Sequence, residues 1–181
     1  MNASGAGFRE EFTEPSLLKK GVSKFHAAAI AGIPLAAILF QVYVPRFFEF
    51  LSYLELPLLV TVYFSLMWRS PVAGVFYGAG IGLAQDALSH NPLGMFGIVK
   101  TLVGYFAAST SQRFDVQNPL VRLILGFFFL FFHQFFYWVL SRALLGETLE
   151  LDVPRTLVVA ALNAIVAVPL YHILDKLRVT S

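Results

Sequence analysis

The sequence predicts an all-α polytopic membrane protein, a bundle of six transmembrane helices. Three observations predict this fold class. Of the 181 residues, 57% are hydrophobic and 13% are charged, which is about half the charged fraction of a typical soluble domain. The mean hydropathy is +0.71. The charged residues collect between long apolar runs, as they do in polytopic membrane proteins.

Six apolar runs come close to the roughly 20 residues needed to cross about 30 Å of hydrocarbon. In order, they are residues 25–44, 51–68, 72–89, 93–110, 120–140 and 154–174. The second to fourth runs are short, which favours burial inside the bundle or local thinning of the bilayer. We therefore expect one transmembrane domain at 25–176, preceded by a cytoplasmic N-terminal segment (1–24) and followed by a cytoplasmic tail (177–181).

The distribution of Lys and Arg predicts the orientation of the bundle. With the N-terminus in the cytoplasm, nine of these residues lie on the cytoplasmic side, and the opposite side has three, namely Arg46, Arg142 and Arg155. Cytoplasmic loops of membrane proteins carry the excess of positive charge. Both termini are therefore predicted to be cytoplasmic.

Several function classes find no support in the sequence. The absence of cysteine excludes disulfides and thiolate metal sites, and the four histidines are scattered singly, which argues against a metal centre. No phosphate-binding glycine loop and no pair of carboxylates in a water-accessible loop is present. The basic pI reflects Lys and Arg at the ends of the runs, without interleaved aromatics. We expect no enzyme activity, no cofactor and no nucleic-acid partner.

The third and fourth runs form a hairpin around which the chain is predicted to be organised. In the third run, Gly74, Gly78, Gly82 and Asp86 follow one another at a spacing of four. Residues at this spacing share one helix face, and small residues on a face allow a neighbouring helix to approach closely. The carboxyl group is therefore predicted to lie at the helix–helix contact.

Ionisable residues inside the spans are the candidate functional groups. A charged side chain in a span costs about 3 kcal/mol, so Asp86 and Lys100 are expected to lie close together and offset one another. Such a pair either fixes the register of the hairpin or forms an ion or substrate site. Glu55, at a similar depth, either joins them or anchors the membrane interface. His133 and Asn163 are interpreted as interhelical hydrogen-bonding residues, with proton relay as the alternative for His133.

Four short motifs resemble the family of the rod shape-determining protein MreD. They are Glu55-Leu56-Pro57, Gly82-Leu83-Ala84-Gln85-Asp86, Asn91-Pro92-Leu93-Gly94 and Gly104-Tyr105. The length and the six predicted spans agree as well. Lys100 and the Phe-rich run at 127–136 are features of this chain and are not carried over as family signatures.

The resemblance implies a non-enzymatic scaffold of the cell-elongation and peptidoglycan-synthesis machinery in the bacterial inner membrane. Its implied partner is MreC, and through MreC also MreB, RodA and a class B penicillin-binding protein. The implied fold is similar to the substrate-binding components of energy-coupling-factor transporters. Asp86, Pro92 and Gly94 match the family and are expected to shape the hairpin and a pocket or docking surface. The alternative is a transport or small-molecule capture component that uses Glu55, Asp86 and Lys100.

Overall fold

The computed structural model describes residues 25–89, 92–146 and 150–178. Within these ranges the chain forms six α-helices and no strand. They are α1 (Ala27–Tyr43), α2 (Leu56–Trp68), α3 (Pro71–Leu88), α4 (Met95–Thr110), α5 (Pro119–Leu145) and α6 (Val153–Asp175). The predicted all-α bundle is confirmed, with one helix for each apolar run. The predicted N-terminal segment and residues 179–181 of the tail lie outside the described residues.

The helix starts follow local sequence signals. Helices α2, α3, α5 and α6 each carry a proline in the first two positions, where the missing N–H has no intrahelical partner to lose. The Asp152 side chain accepts a hydrogen bond from the Arg155 backbone N–H at 3.0 Å and so caps α6. The link between α1 and α2 contains two short 3₁₀ helices, Val44–Arg46 and Glu49–Tyr53.

Four helical segments are long and apolar enough to cross a membrane. They are Ala27–Arg46, Glu49–Trp68, Pro119–Leu145 and Val153–Asp175. Helix α4 is apolar but has 16 residues, and α3, with its glycines and Asp86, is not among the four. The six predicted spans thus correspond to six helices, of which four meet this length and hydropathy criterion.

The centre of the bundle is α2, where every residue from Pro57 to Met67 is buried. This helix contacts all five other helices. The chain was predicted to be organised around the α3–α4 hairpin, which does form the most extensive helix pair, but the buried interior of the bundle is α2. A helix that is apolar on all sides is expected in the interior of a bundle. The hairpin packs against one side of α2, and α5 and α6 pair on another.

Candidate functional site

Helices α3 and α4 make the most extensive contact in the bundle, and glycines create it. A Cβ atom added to Gly78 would overlap the carbonyl oxygen of Lys100 and lie 2.7 Å from its carbonyl carbon. A Cβ atom added to Gly82 would lie 2.6 Å from the Cα atom of Gly97. The two backbones therefore touch directly, and no side chain larger than hydrogen fits between them at these positions.

Asp86 ends this glycine series and caps α4. Its Oδ2 atom accepts hydrogen bonds from the backbone N–H groups of Gly94 and Gly97, both at 3.0 Å, and its Oδ1 atom accepts one from Phe96 at 3.2 Å. The residue is 1% exposed. A carboxylate at a helix N-terminus satisfies N–H groups that have no intrahelical partner and interacts favourably with the helix dipole. Asp86 therefore fixes the position of α4 relative to α3.

The turn before α4 positions these amide groups. Gly94 is the N-cap residue and has a φ of +95°, a left-handed conformation that side chains rarely adopt. The Pro92 carbonyl accepts a hydrogen bond from the Met95 N–H at 3.4 Å. Both family-matching residues of the turn thus shape the approach of the chain to the Asp86 carboxylate.

Lys100 is fully buried. Its Nζ atom lies 3.4 Å from the Nε2 atom of His133 on α5 and 4.3 Å from the centre of the Phe96 ring. Because an ammonium group only donates, Nε2 must accept and the ring proton must be on Nδ1. The predicted interhelical role of His133 therefore agrees with the geometry.

The expected pairing of Asp86 with Lys100 was wrong. Within the described ranges, ion pairs involve Asp175 and not Asp86. The physical reason is that the α4 amide groups occupy both carboxylate oxygens of Asp86. The direct contacts of Lys100 are an imidazole nitrogen and an aromatic face, which attracts cations electrostatically, and the charges of Glu55 and Asp86 act on it from a longer distance.

Glu55 lies directly before α2 and does not contact Asp86. Its backbone N–H donates to the Asn163 Oδ1 atom at 2.8 Å, and the Asn163 Nδ2 atom donates to the Tyr53 carbonyl at 2.7 Å. Asn163 therefore ties α6 to the start of α2, as its interhelical interpretation predicted. The Glu55 Oε2 atom is buried and has no hydrogen-bond partner among the described residues.

Two cavities meet at Glu55. One, of about 330 Å³, is lined by Glu55, by Gln41 of α1, Gln85 of α3 and Phe96 of α4, and by Arg46 of the first 3₁₀ helix. The other, of about 360 Å³, lies between Glu55, α5 and the start of α6, and Arg155 and Gln134 line it. Of the three expected charged groups, Glu55 is the one that lines these two cavities of the described chain.

A cluster at the opposite end of the bundle escaped the sequence interpretation. The Asp175 carboxylate accepts hydrogen bonds from Arg122 at 2.6 Å, Arg178 at 2.5 Å and the Tyr63 hydroxyl at 2.9 Å. This Asp175 cluster joins α2, α5 and the end of α6. From the sequence, Arg122 and Arg178 contributed only to the predicted topology, because charges at span ends normally face water, and Asp175 had no predicted role.

Metal binding finds no candidate in the described part of the chain, since no group of three or more His, Asp or Glu side chains converges there. The buried polar groups described above mostly hold helices together: Asp86 joins α3 to α4, Lys100 joins α4 to α5, and Asn163 joins α6 to α2. The fold and these groups define a polytopic helical membrane protein whose buried polar contacts organise its packing.

The particular family follows from comparison with known families. The family described as rod shape-determining protein MreD matches residues 23–179, so the chain belongs to the MreD family. The resemblance seen in the four sequence motifs is thereby confirmed. No curated protein matches the chain, and no solved structure does. The expected similarity to energy-coupling-factor transporter components stays a prediction.

Proposed function

We propose that this protein is a non-enzymatic assembly component of the cell-elongation machinery in the bacterial inner membrane, and that it docks the single transmembrane helix of MreC. MreC would connect it to MreB, RodA and a class B penicillin-binding protein. Membership of a rod-shape-determining membrane family supports this role at the coarse level.

The observation that carries the proposal is an apolar groove on the side of the α3–α4 hairpin. Its volume is about 330 Å³, and its lining is Ala79, Leu83, Gly94, Gly97, Ile98, Thr101 and Leu102. Hydrophobicity does not drive helix association in lipid, because the lipid tails are equally apolar. Small residues do favour it, since they let two backbones approach and gain van der Waals contact. The groove combines small residues at its base with Leu83 and Ile98 at its rims, and both of these side chains are exposed.

Filling the groove with a large side chain tests the proposal. We expect Ala79→Trp to abolish copurification of MreC from native membranes, because the indole would occupy the space intended for the partner helix. The matched control is Ala161→Trp, which places the same side chain on an exposed position of α6. Equal MreC recovery from both variants, at equal membrane levels, would contradict docking at this groove.

The predicted topology can be tested separately because the chain contains no cysteine. In intact spheroplasts, a membrane-impermeant maleimide should label Glu150→Cys and should label Lys176→Cys only after permeabilisation. The reverse pattern would place the chain ends outside the cytoplasm and remove the basis for a cytoplasmic link to MreB filaments.

A further inference from the structure

Three buried acceptor atoms face one cavity at the end of the bundle where α1 ends and α2 begins. They are the Oε1 atoms of Gln41 and Gln85 and the Oε2 atom of Glu55, and within the described residues none has a hydrogen-bond partner. All three residues line the same cavity of about 330 Å³. Gln85 is 3% exposed. Buried polar groups in proteins are normally paired, so a cluster of unpaired acceptors around an open space is a place for a group that donates several hydrogen bonds.

The lining of the cavity restricts the chemistry of that ligand. One carboxyl oxygen and two amide oxygens from α1, α3 and the start of α2 all call for hydrogen-bond donors, and a primary ammonium group offers three. Lys100 acts on Glu55 through its charge, but its ammonium group contacts His133 and the Phe96 ring, so the Glu55 Oε2 atom has no hydrogen-bond donor among the described residues. The exposed Arg46 side chain lines the same cavity. A guanidinium group binds phosphate or carboxylate in a forked geometry.

We propose that this cavity binds a zwitterion whose primary ammonium group is held by Gln41, Glu55 and Gln85 and whose anionic group is held by Arg46. A phosphatidylethanolamine headgroup has this chemistry, and so does free phosphoethanolamine. A water molecule occupies about 30 Å³ in the liquid, so the cavity has room for an ammonium and a phosphate group. The inference goes beyond docking of MreC, because the groove proposed for that role has none of these residues in its lining.

The test uses the full chain in nanodiscs and measures the thermal unfolding temperature. Phosphatidylethanolamine should raise it by about 3 °C or more relative to phosphatidylcholine, because ligand binding stabilises the folded state and the choline nitrogen has no N–H to donate. Free phosphoethanolamine, added to protein in phosphatidylcholine, is compared with phosphocholine. A shift with lipid alone identifies a headgroup site, and a shift with the free compound identifies a soluble ligand. Both results support a zwitterion site in this cavity.

Three variants locate the effect. Gln85→Leu removes one acceptor and should at least halve the shift, whereas Gln134→Leu, which alters the other cavity at Glu55, should retain it. Arg46→Met changes an exposed side chain, so it keeps the test valid if Gln85→Leu fails to fold. Equal unfolding temperatures with ethanolamine and choline compounds would overturn the proposal, as would a full shift in both Gln85→Leu and Arg46→Met. MreC copurification, measured in parallel, reports on the docking proposal alone.

Discussion

The glycine contact between α3 and α4 gives the sharpest prediction, Gly78→Ala. The added methyl group would meet the carbonyl group of Lys100, with 2.7 Å between the Cβ atom and the carbonyl carbon. Carbon atoms pack best at about 3.5–4.0 Å, so the helices would have to separate by about 1 Å. The obstacle is backbone in the middle of α4, and no change of side-chain rotamer relieves it.

The size of the effect follows from two opposing contributions. Overpacking a close contact costs about 1–3 kcal/mol, and a rigid backbone obstacle belongs at the upper end of that range. Alanine gains about 1 kcal/mol over glycine through its helix propensity. We therefore expect the free energy of unfolding to fall by about 2 kcal/mol. Separation of the helices would also lengthen the hydrogen bonds from the α4 amides to Asp86.

Gly80 provides the matched control on the same helix. It is exposed, and a Cβ atom added there has no atom within 4 Å. Gly80→Ala should therefore leave stability unchanged or raise it by up to about 1 kcal/mol. Both variants exchange glycine for alanine within one turn of α3, so the gain in helix propensity is the same in each. The difference in stability between Gly78→Ala and Gly80→Ala therefore reports the steric contact alone.

The assay is the thermal unfolding temperature of the detergent-solubilised protein, followed by fluorescence-detected size exclusion after heating. In a protein of this size, 1 kcal/mol shifts the unfolding temperature by about 2–4 °C. Gly78→Ala should lower it by about 4–8 °C, and Gly80→Ala should not lower it. Equal unfolding temperatures for the two variants would refute the direct backbone contact between α3 and α4.

Three further predictions concern the buried charged groups. Asp86→Ala should destabilise the protein by about 2–3 kcal/mol, because the backbone amides lose their hydrogen bonds to a charged acceptor, and it should lower the yield of protein from membranes. Normal levels of the protein and of its partner, combined with lost uptake of a solute, would contradict a packing role for Asp86. Asp175→Asn should cost about 3 kcal/mol because the buried Arg122 guanidinium group loses its carboxylate, and an unchanged unfolding temperature would argue against the Asp175 cluster. His133→Leu should destabilise the protein more than the double variant His133→Leu/Lys100→Met, because only the single variant leaves an ammonium group buried without an acceptor. The unfolding temperatures of the wild type, the single variant and the double variant test this order. A double variant less stable than the single variant would refute it.

The hairpin could be predicted from sequence because its determinants are local. The glycines and Asp86 lie at one spacing within a single helix, and the amides that bind the carboxylate are 8, 10 and 11 residues away. A periodic pattern and a short connection were therefore sufficient to place the close contact and the buried acid. The identity of the groups around the acid was not predictable in the same way, because backbone amides leave no signal in side-chain composition.

Partners from distant helices could not be read from periodicity. Lys100 contacts His133, 33 residues away, and Arg122 contacts Asp175, 53 residues away. A charged or polar residue within an apolar run needs a polar partner, but the sequence offers several possible partners for each of these residues. The arrangement of the six helices around α2 decides among them. The central place of α2 did have a signal, since residues 57–67 are apolar on every face.

The placement of the charged groups bears on whether this bundle moves a solute or holds a shape. A transport path along the hairpin would need space between α3 and α4 near Asp86, but the glycines bring the two backbones into contact there and the carboxylate accepts three amide hydrogen bonds. Opening that contact would expose the amides and the acid together, at the cost of their hydrogen bonds. Glu55 lies where two cavities meet, so a ligand can bind beside it without any separation of α3 from α4. Ligand binding and a rigid hairpin are therefore compatible in one protein, and a rigid hairpin would keep the fixed surface that the proposed docking of MreC requires.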